Sequence, residues 1–136
     1  LLITSFLLVS CIRENTSTED LMEMAPENAT LKYSGNFIQG PYGNNVNGKA
    51  GIYEKNRIFT LVFNDSFTIN NGPDLYVYVS KEQQPTQFIS LGRLKSVNGG
   101  QTYTFTSAIN FDDYKYAVVH CQQYNHLFSY ALLQKL

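Results

Sequence analysis

Two cysteines and two histidines carry most of the reactive chemistry in this sequence: Cys11, His120, Cys121 and His126. Cys121 has the widest chemical reach. A single thiol is oxidised reversibly or binds a soft metal or haem iron, and the thiolate is its active form. The run His120-Cys121, with His126 five residues beyond Cys121, adds imidazoles, and imidazole with thiolate is a ligand set for zinc, copper and haem. Spacing weighs against a shared site. Neighbours on a regular strand point to opposite faces, so His120 and Cys121 meet at one metal only across a bulge. Cys121 and His126 meet only if the intervening turn folds the chain back. Two ligands also fall short of the four a closed zinc site needs. Surface and strand-end positions are therefore the default for both histidines, and no metal is assigned. Alternation gives Cys121 a second reading as well. Ala117, Val119 and Cys121 share one strand face, and Tyr116, Val118 and His120 share the other. The apolar row would hold the thiol in the core as a small, inert hydrophobe.

Other candidates are weaker. Asp74, after Gly72-Pro73, would bind a cation if joined by Asp65 or Asp112-Asp113. Such an Asp more often accepts backbone N–H bonds in a turn. Tyr76, Tyr78, Tyr103, Tyr114, Tyr116, Tyr124 and Tyr130 would relay electrons or stack on a sugar. Most should pack in or rim the core with the hydroxyl at water. The sequence holds no Gly-x-Ser-x-Gly elbow, no phosphate-binding Gly-x-x-x-x-Gly-Lys-Ser/Thr loop and no His-Glu-x-x-His. Cys121 with His126 as a nucleophile pair lacks a third, orienting group. No standard enzyme chemistry is expected.

Cys11 reads differently. The chain begins Leu1-Leu2-Ile3, without an initiator methionine or a basic leader, and reads as cut at its N-terminus. Residues 1–9 form an apolar run broken only by Thr4 and Ser5. It is shorter than the roughly 20 residues that span a bilayer and suits the apolar region of a signal peptide. The run ends in Leu8-Val9-Ser10-Cys11, which resembles the bacterial lipobox. Cys11 is then the lipidation site, and two or more acyl chains give stable anchoring. The expected localisation is the bacterial cell envelope, facing the periplasm or the exterior. Acylated Cys11 forms no disulfide, which leaves Cys121 as the odd thiol of an exported protein. The alternative, a Cys11–Cys121 disulfide, needs the leader reading to be wrong.

These residues need elements to position them. The chain has 136 residues, 43% hydrophobic and 15% charged, which suits one folded domain with tails. A net charge of −1 with scattered basic residues offers no footprint for nucleic acid. Residues 1–11 read as the leader and 12–30 as a polar tether, in which Thr18 would cap a short helix through Leu21, Met22 and Met24. A flexible tether is the preferred reading. From residue 31 to 136 the texture is short alternating runs punctuated by Gly and Asn. Strands are expected near 31–38, 48–53, 57–63, 75–80, 88–91, 101–105, 116–122 and 127–133. A long polar loop falls at 39–48, and turns at 54–56, at Asn70-Asn71-Gly72-Pro73 and at Asn98-Gly99-Gly100. Residues 57–63 are apolar on both faces, as a central strand is. The expected class is all-β: a single antiparallel β-sandwich or barrel-like domain.

Five fragments, in order, resemble the DM-thirteen domain, a family described as electron-transfer and often found beside DOMON domains. They are Gly72-Pro73-Asp74-Leu75 with its tyrosine-rich strand to Ser80; Leu91-Gly92-Arg93-Leu94-Lys95; Gly100-Gln101-Thr102-Tyr103; Tyr116-Ala117-Val118-Val119-His120-Cys121; and Phe128-Ser129-Tyr130-Ala131-Leu132. The resemblance spans about residues 31–136. It implies a redox accessory role with Cys121 at the position of the family's cysteine. His120 stands where the family usually has an aromatic, and Asn44-Asn45-Val46-Asn47-Gly48 lacks the histidine often found before that glycine. The cofactor is unknown. The expected partners are the membrane, through the lipid anchor, and a redox partner protein, because one thiol cannot store an electron pair without a second sulfur. The alternative is a non-enzymatic binding or structural module on the envelope.

Overall fold

The computed structural model describes residues 15–106 and 108–136. The lipobox and Cys11 lie outside them. Ten strands form one continuous sheet: β1 (Asp20–Met22), β2 (Thr30–Gln39), β3 (Lys49–Lys55), β4 (Ile58–Phe63), β5 (Leu75–Ser80), β6 (Phe88–Arg93), β7 (Asn98–Phe105), β8 (Tyr116–Cys121), β9 (His126–Leu132) and β10 (Gln134–Lys135). The order is β1-β7-β4-β3-β2-β9-β8-β5-β6, with β10 also on β2. Every pairing is antiparallel except β1 with β7. The sheet curls into a half-barrel, so the all-β, barrel-like expectation holds.

Local sequence explains the elements. In β4, Leu61 and Phe63 enter the core, while Thr60 on the other face is buried beside Thr104, with the two hydroxyl oxygens 3.3 Å apart. A strand covered on both sides must be central, and β4 lies between β3 and β7. The β3–β4 link is a two-residue turn, Asn56-Arg57, with both φ angles positive, which matches the right-handed twist of a hairpin. The inner faces of both halves of the sheet supply one core. At its centre Phe37, Phe63 and Phe67 meet with ring centroids 4.7 to 5.1 Å apart. Such tilted and edge-on pairs add about 0.5–1.5 kcal/mol each beyond burial. A smaller cluster, Tyr78, Val118 and Leu127, covers the outer face of β5, β8 and β9.

Two sequence expectations differ from the structure. Residues 98–100 are the start of β7 rather than a turn, and 20–22, expected as tether or helix, form β1 on its edge. The causes are linked. Gly99, at φ +92°, has no Cβ to obstruct Leu21: a Cβ there would lie 2.1 Å from the Leu21 carbonyl oxygen. The Ser96 hydroxyl lies within hydrogen-bond reach of the Ser17 and Glu19 carbonyls, and Asn98 Nδ2 donates to the Thr18 carbonyl. Glu23 then accepts from Lys95 Nζ at 2.8 Å and from the Thr102 amide at 2.9 Å. These bonds lower the Glu23 carboxyl pKa from its usual 4.5, the Lys95 bond most.

Candidate functional site

Cys121 ends β8. Its register partners are Leu75 on β5 and His126 on β9. The thiol belongs to the main core with Ala117 and Val119 and is 1% exposed, as the alternation predicts. It is a free thiol among the described residues. The turn after it, residues 122–125, closes with Asn125 in the left-handed region, and the Gln122 amide donates to the Asp74 carbonyl at 3.0 Å. The chain therefore does fold back, and Cys121 and His126 become direct cross-strand partners. Residues so paired point to the same side of a sheet. His126 stacks face to face on Tyr42, with ring centroids 3.5 Å apart, and Tyr124 lies beyond it at 5.8 Å.

His120 goes to the other face. It is 4% exposed, so it is not a surface residue, although it stands next to last in β8. Its Nε2 lies 2.9 Å from Asn125 Oδ1, and burial lowers its pKa below 6.5. The register shift between Val119 and His120 does not bring His120 to the thiol: the outer cluster of Tyr78, Val118 and Leu127 receives it, and its ring lies 5.5 Å from that of Tyr78.

Asp74 is buried at the start of β5, and its carboxylate meets the Arg93 guanidinium at 3.2 Å. Arg93 in turn lies over the Tyr76 ring at 5.0 Å. Asp112 accepts from the Tyr33 hydroxyl at 3.3 Å. Among the described residues no three His, Cys, Asp or Glu side chains are grouped to hold a metal. Two surface grooves, of about 470 and 620 Å³, are lined by other residues: Tyr33, Phe59 and Phe111 in one, Met22, Met24 and Val62 in the other.

Two side chains that the sequence weighed separately, Tyr78 and His120, come together on the outer face. Tyr78 is 1% exposed, and burial, reinforced by Tyr76 and Asp74, pushes its hydroxyl pKa up to about 12. Tyr78 Oη and His120 Nδ1 are both buried without a hydrogen-bond partner. An unsatisfied buried polar atom costs about 1–3 kcal/mol, so two on neighbouring rings call for a reason. The sequence offered Tyr78 as one of seven candidate tyrosines and His120 as a weak metal candidate, and nothing in it marked the two as a pair.

Chemically, the domain offers a sealed thiol on one face and a phenol–imidazole pair on the other. A family model described as Electron transfer DM13 matches residues 37–133. No curated protein and no solved structure matches the chain. The match spans most of the chain and takes in the strands carrying Cys121, His120 and Tyr78, as well as all five fragments that suggested the resemblance. The chain belongs to the electron transfer DM13 family.

Proposed function

We propose that this chain is a lipid-anchored electron-transfer accessory domain of the bacterial cell envelope, with Cys121 as its redox thiol. The family match carries the redox reading. Lipidation at Cys11 would hold the domain at the membrane, and the charge balance gives no reason to invoke nucleic acid. With one thiol in the domain, partner proteins supply the other sulfurs. The Cys121 thiolate, its proton lost to water, attacks a partner disulfide. A mixed disulfide forms and one partner sulfur leaves as thiolate. A thiolate of a second, dithiol partner then attacks Cys121 Sγ and frees the first partner fully reduced. The remaining thiolate of the second partner closes its own disulfide and releases Cys121. Each exchange follows ordinary thiolate–disulfide chemistry.

Burial gates this path. At 1% exposure the thiol reacts only when the structure around it opens. The same burial favours a second reading, a non-enzymatic binding or structural module of the envelope. Alkylation of the Cys11→Ser chain under native conditions, with an absorbance spectrum of the same sample, separates the two. Labelling faster than global unfolding, or a visible band, in either case lost in Cys121→Ser, supports the redox thiol. Labelling only at the unfolding rate, with no visible band, makes Cys121 a packing residue and leaves the binding-module reading.

A further inference from the structure

Tyr78 and His120 stand on neighbouring strands of the outer face, on the opposite side of the sheet from the core that holds Cys121. The hydrogen bonds around them define what each polar atom offers. Asn125 Oδ1 accepts from Gln84 Nε2 at 2.9 Å and also lies 2.9 Å from His120 Nε2. An amide oxygen has no proton to give, so His120 Nε2 carries the hydrogen and donates. Burial disfavours the charged ring and lowers its pKa from 6.5. Nδ1 is then a bare lone pair, while the Tyr78 O–H is an unengaged donor, both sealed from solvent. The two rings are 5.5 Å apart and tilted by 43°. Proton transfer between them requires a hydrogen bond, direct or through one water, that a rotation of either ring would have to form.

That pairing suits one-electron chemistry. Removing an electron alone from a buried phenol creates a charge that the apolar surroundings penalise. If the proton leaves with the electron, the phenol ends as a neutral radical and the proton passes to His120 Nδ1, a far stronger base than an oxidised phenol, although burial still disfavours the imidazolium formed. Aromatic contacts connect Tyr78 to the surface. Phe88 stacks on it at 4.1 Å and is 39% exposed. Tyr76 lies 6.2 Å away beneath the exposed Arg93 guanidinium.

We propose that Tyr78 is a redox-active tyrosine, with His120 Nδ1 as its proton acceptor, exchanging single electrons with a partner docked over Phe88 and Tyr76. The proposal rests on the electron-transfer reading of the domain but not on the thiol. In the forward step the Tyr78 O–H bond breaks, an N–H bond forms at His120 Nδ1, and one electron passes to a strong one-electron oxidant on the partner, a high-valent metal–oxo centre. In the return step a one-electron reductant, a reduced metal centre, refills the tyrosyl oxygen and the proton moves back.

The test is photo-oxidation of the full chain by ruthenium(III) tris-bipyridine, generated by a flash with persulfate as the final electron acceptor. Radicals are followed by transient absorbance and freeze-quench electron paramagnetic resonance. A long-lived neutral tyrosyl radical is expected, lost in Tyr78→Phe. That variant removes only a hydroxyl without a partner, so it folds with stability unchanged or raised. Its formation rate should not depend on buffer-base concentration in the natural chain, because the base is internal. In His120→Gln the rate should fall and become buffer-dependent. The signal should survive in Cys121→Ser. An unchanged long-lived radical in Tyr78→Phe, no long-lived radical in the natural chain, or a buffer-independent His120→Gln would each overturn the proposal. Loss of the signal in Cys121→Ser alone would move the electron path to the thiol, sinking this inference while sparing the electron-transfer reading.

Discussion

At the scale of single residues, the reactive groups divide between the two faces of the sheet. Alternation along β8 was enough to send Cys121 inward with Ala117 and Val119 and His120 outward with Val118. Its limit was the status of each atom. Whether a polar atom has a partner depends on strands that are distant in sequence, so the unpartnered Tyr78 Oη and His120 Nδ1 were invisible until β5 lay beside β8. Likewise a surface position was one default for His120, yet its ring is buried against Tyr78 and Asn125. This enclosure predicts a pH dependence. The unfolded chain takes up a proton on His120 near pH 6.5, whereas the folded chain resists it because burial penalises the imidazolium. Between these two values the unfolded state binds more protons, so stability falls as pH drops from 6.5 toward the folded-state pKa. The groups facing His120 are Tyr78 and Asn125, with His126 close enough to add to the lowering. Glu23 follows the same sign at lower pH: its stabilisation is full above 4.5 and is lost below it. Urea midpoints measured from pH 8 to 5 should therefore decline in the natural chain and flatten in His120→Gln. Parallel declines in both would show that His120 is not the group responsible.

At the scale of elements, most strands were legible because a sheet covered on one or both faces writes its alternation into the sequence. Residues 57–63 and 75–80 are plain examples. The segment before residue 30 was not, because β1 is only three residues long, too short to show an alternation. Its place is set by its partner: glycine at 99 to admit Leu21, Ser96 to receive the carbonyls of Ser17 and Glu19, and Lys95 to meet Glu23. The same glycines made residues 98–100 read as a turn. Docked there, β1 also covers the edge of β7, which would otherwise present unpaired backbone groups to other chains. Gly99→Val tests this arrangement. A side chain at φ +92° costs about 1–3 kcal/mol in strain, and the Cβ collides with the Leu21 carbonyl as well. Hydrogen exchange should then show the Glu23 amide, which donates to the Gly100 carbonyl at 3.0 Å, losing its protection while β5 and β8 amides keep theirs. Retained protection at Glu23 would mean that β1 is held by something other than this close approach.

At the scale of the whole molecule, closure depends on β2. Its first part pairs with β3 and β10, and its last residues, 37–39, pair with β9. It thus joins β1-β7-β4-β3 to β9-β8-β5-β6, bringing one of the first strands against one of the last. The sequence could announce an all-β domain but not this order, since pairing between distant strands leaves no local mark. The pivot is Gly35, between the β10 and β9 registers. A Cβ there would lie 2.0 Å from the Leu132 carbonyl oxygen and 2.8 Å from its carbon, both backbone atoms that cannot swing aside. Gly92 makes a control, because its φ of +106° strains any side chain although nothing lies within 4 Å of the added carbon. Gly92→Val should therefore show the conformational cost alone, about 1–3 kcal/mol. Gly35→Val has to push β2 off β9, and both halves of the sheet share one core, so it should cost more, about 4 kcal/mol or beyond. Because that core is shared, the loss should appear as one cooperative transition with a lower urea midpoint and an unchanged slope. A midpoint no lower than that of Gly92→Val would show that the Gly35 contact relaxes freely. Two separate transitions would show instead that the halves hold together independently, and that a partner meets two coupled units rather than one rigid frame carrying Cys121 inside and Tyr78 outside.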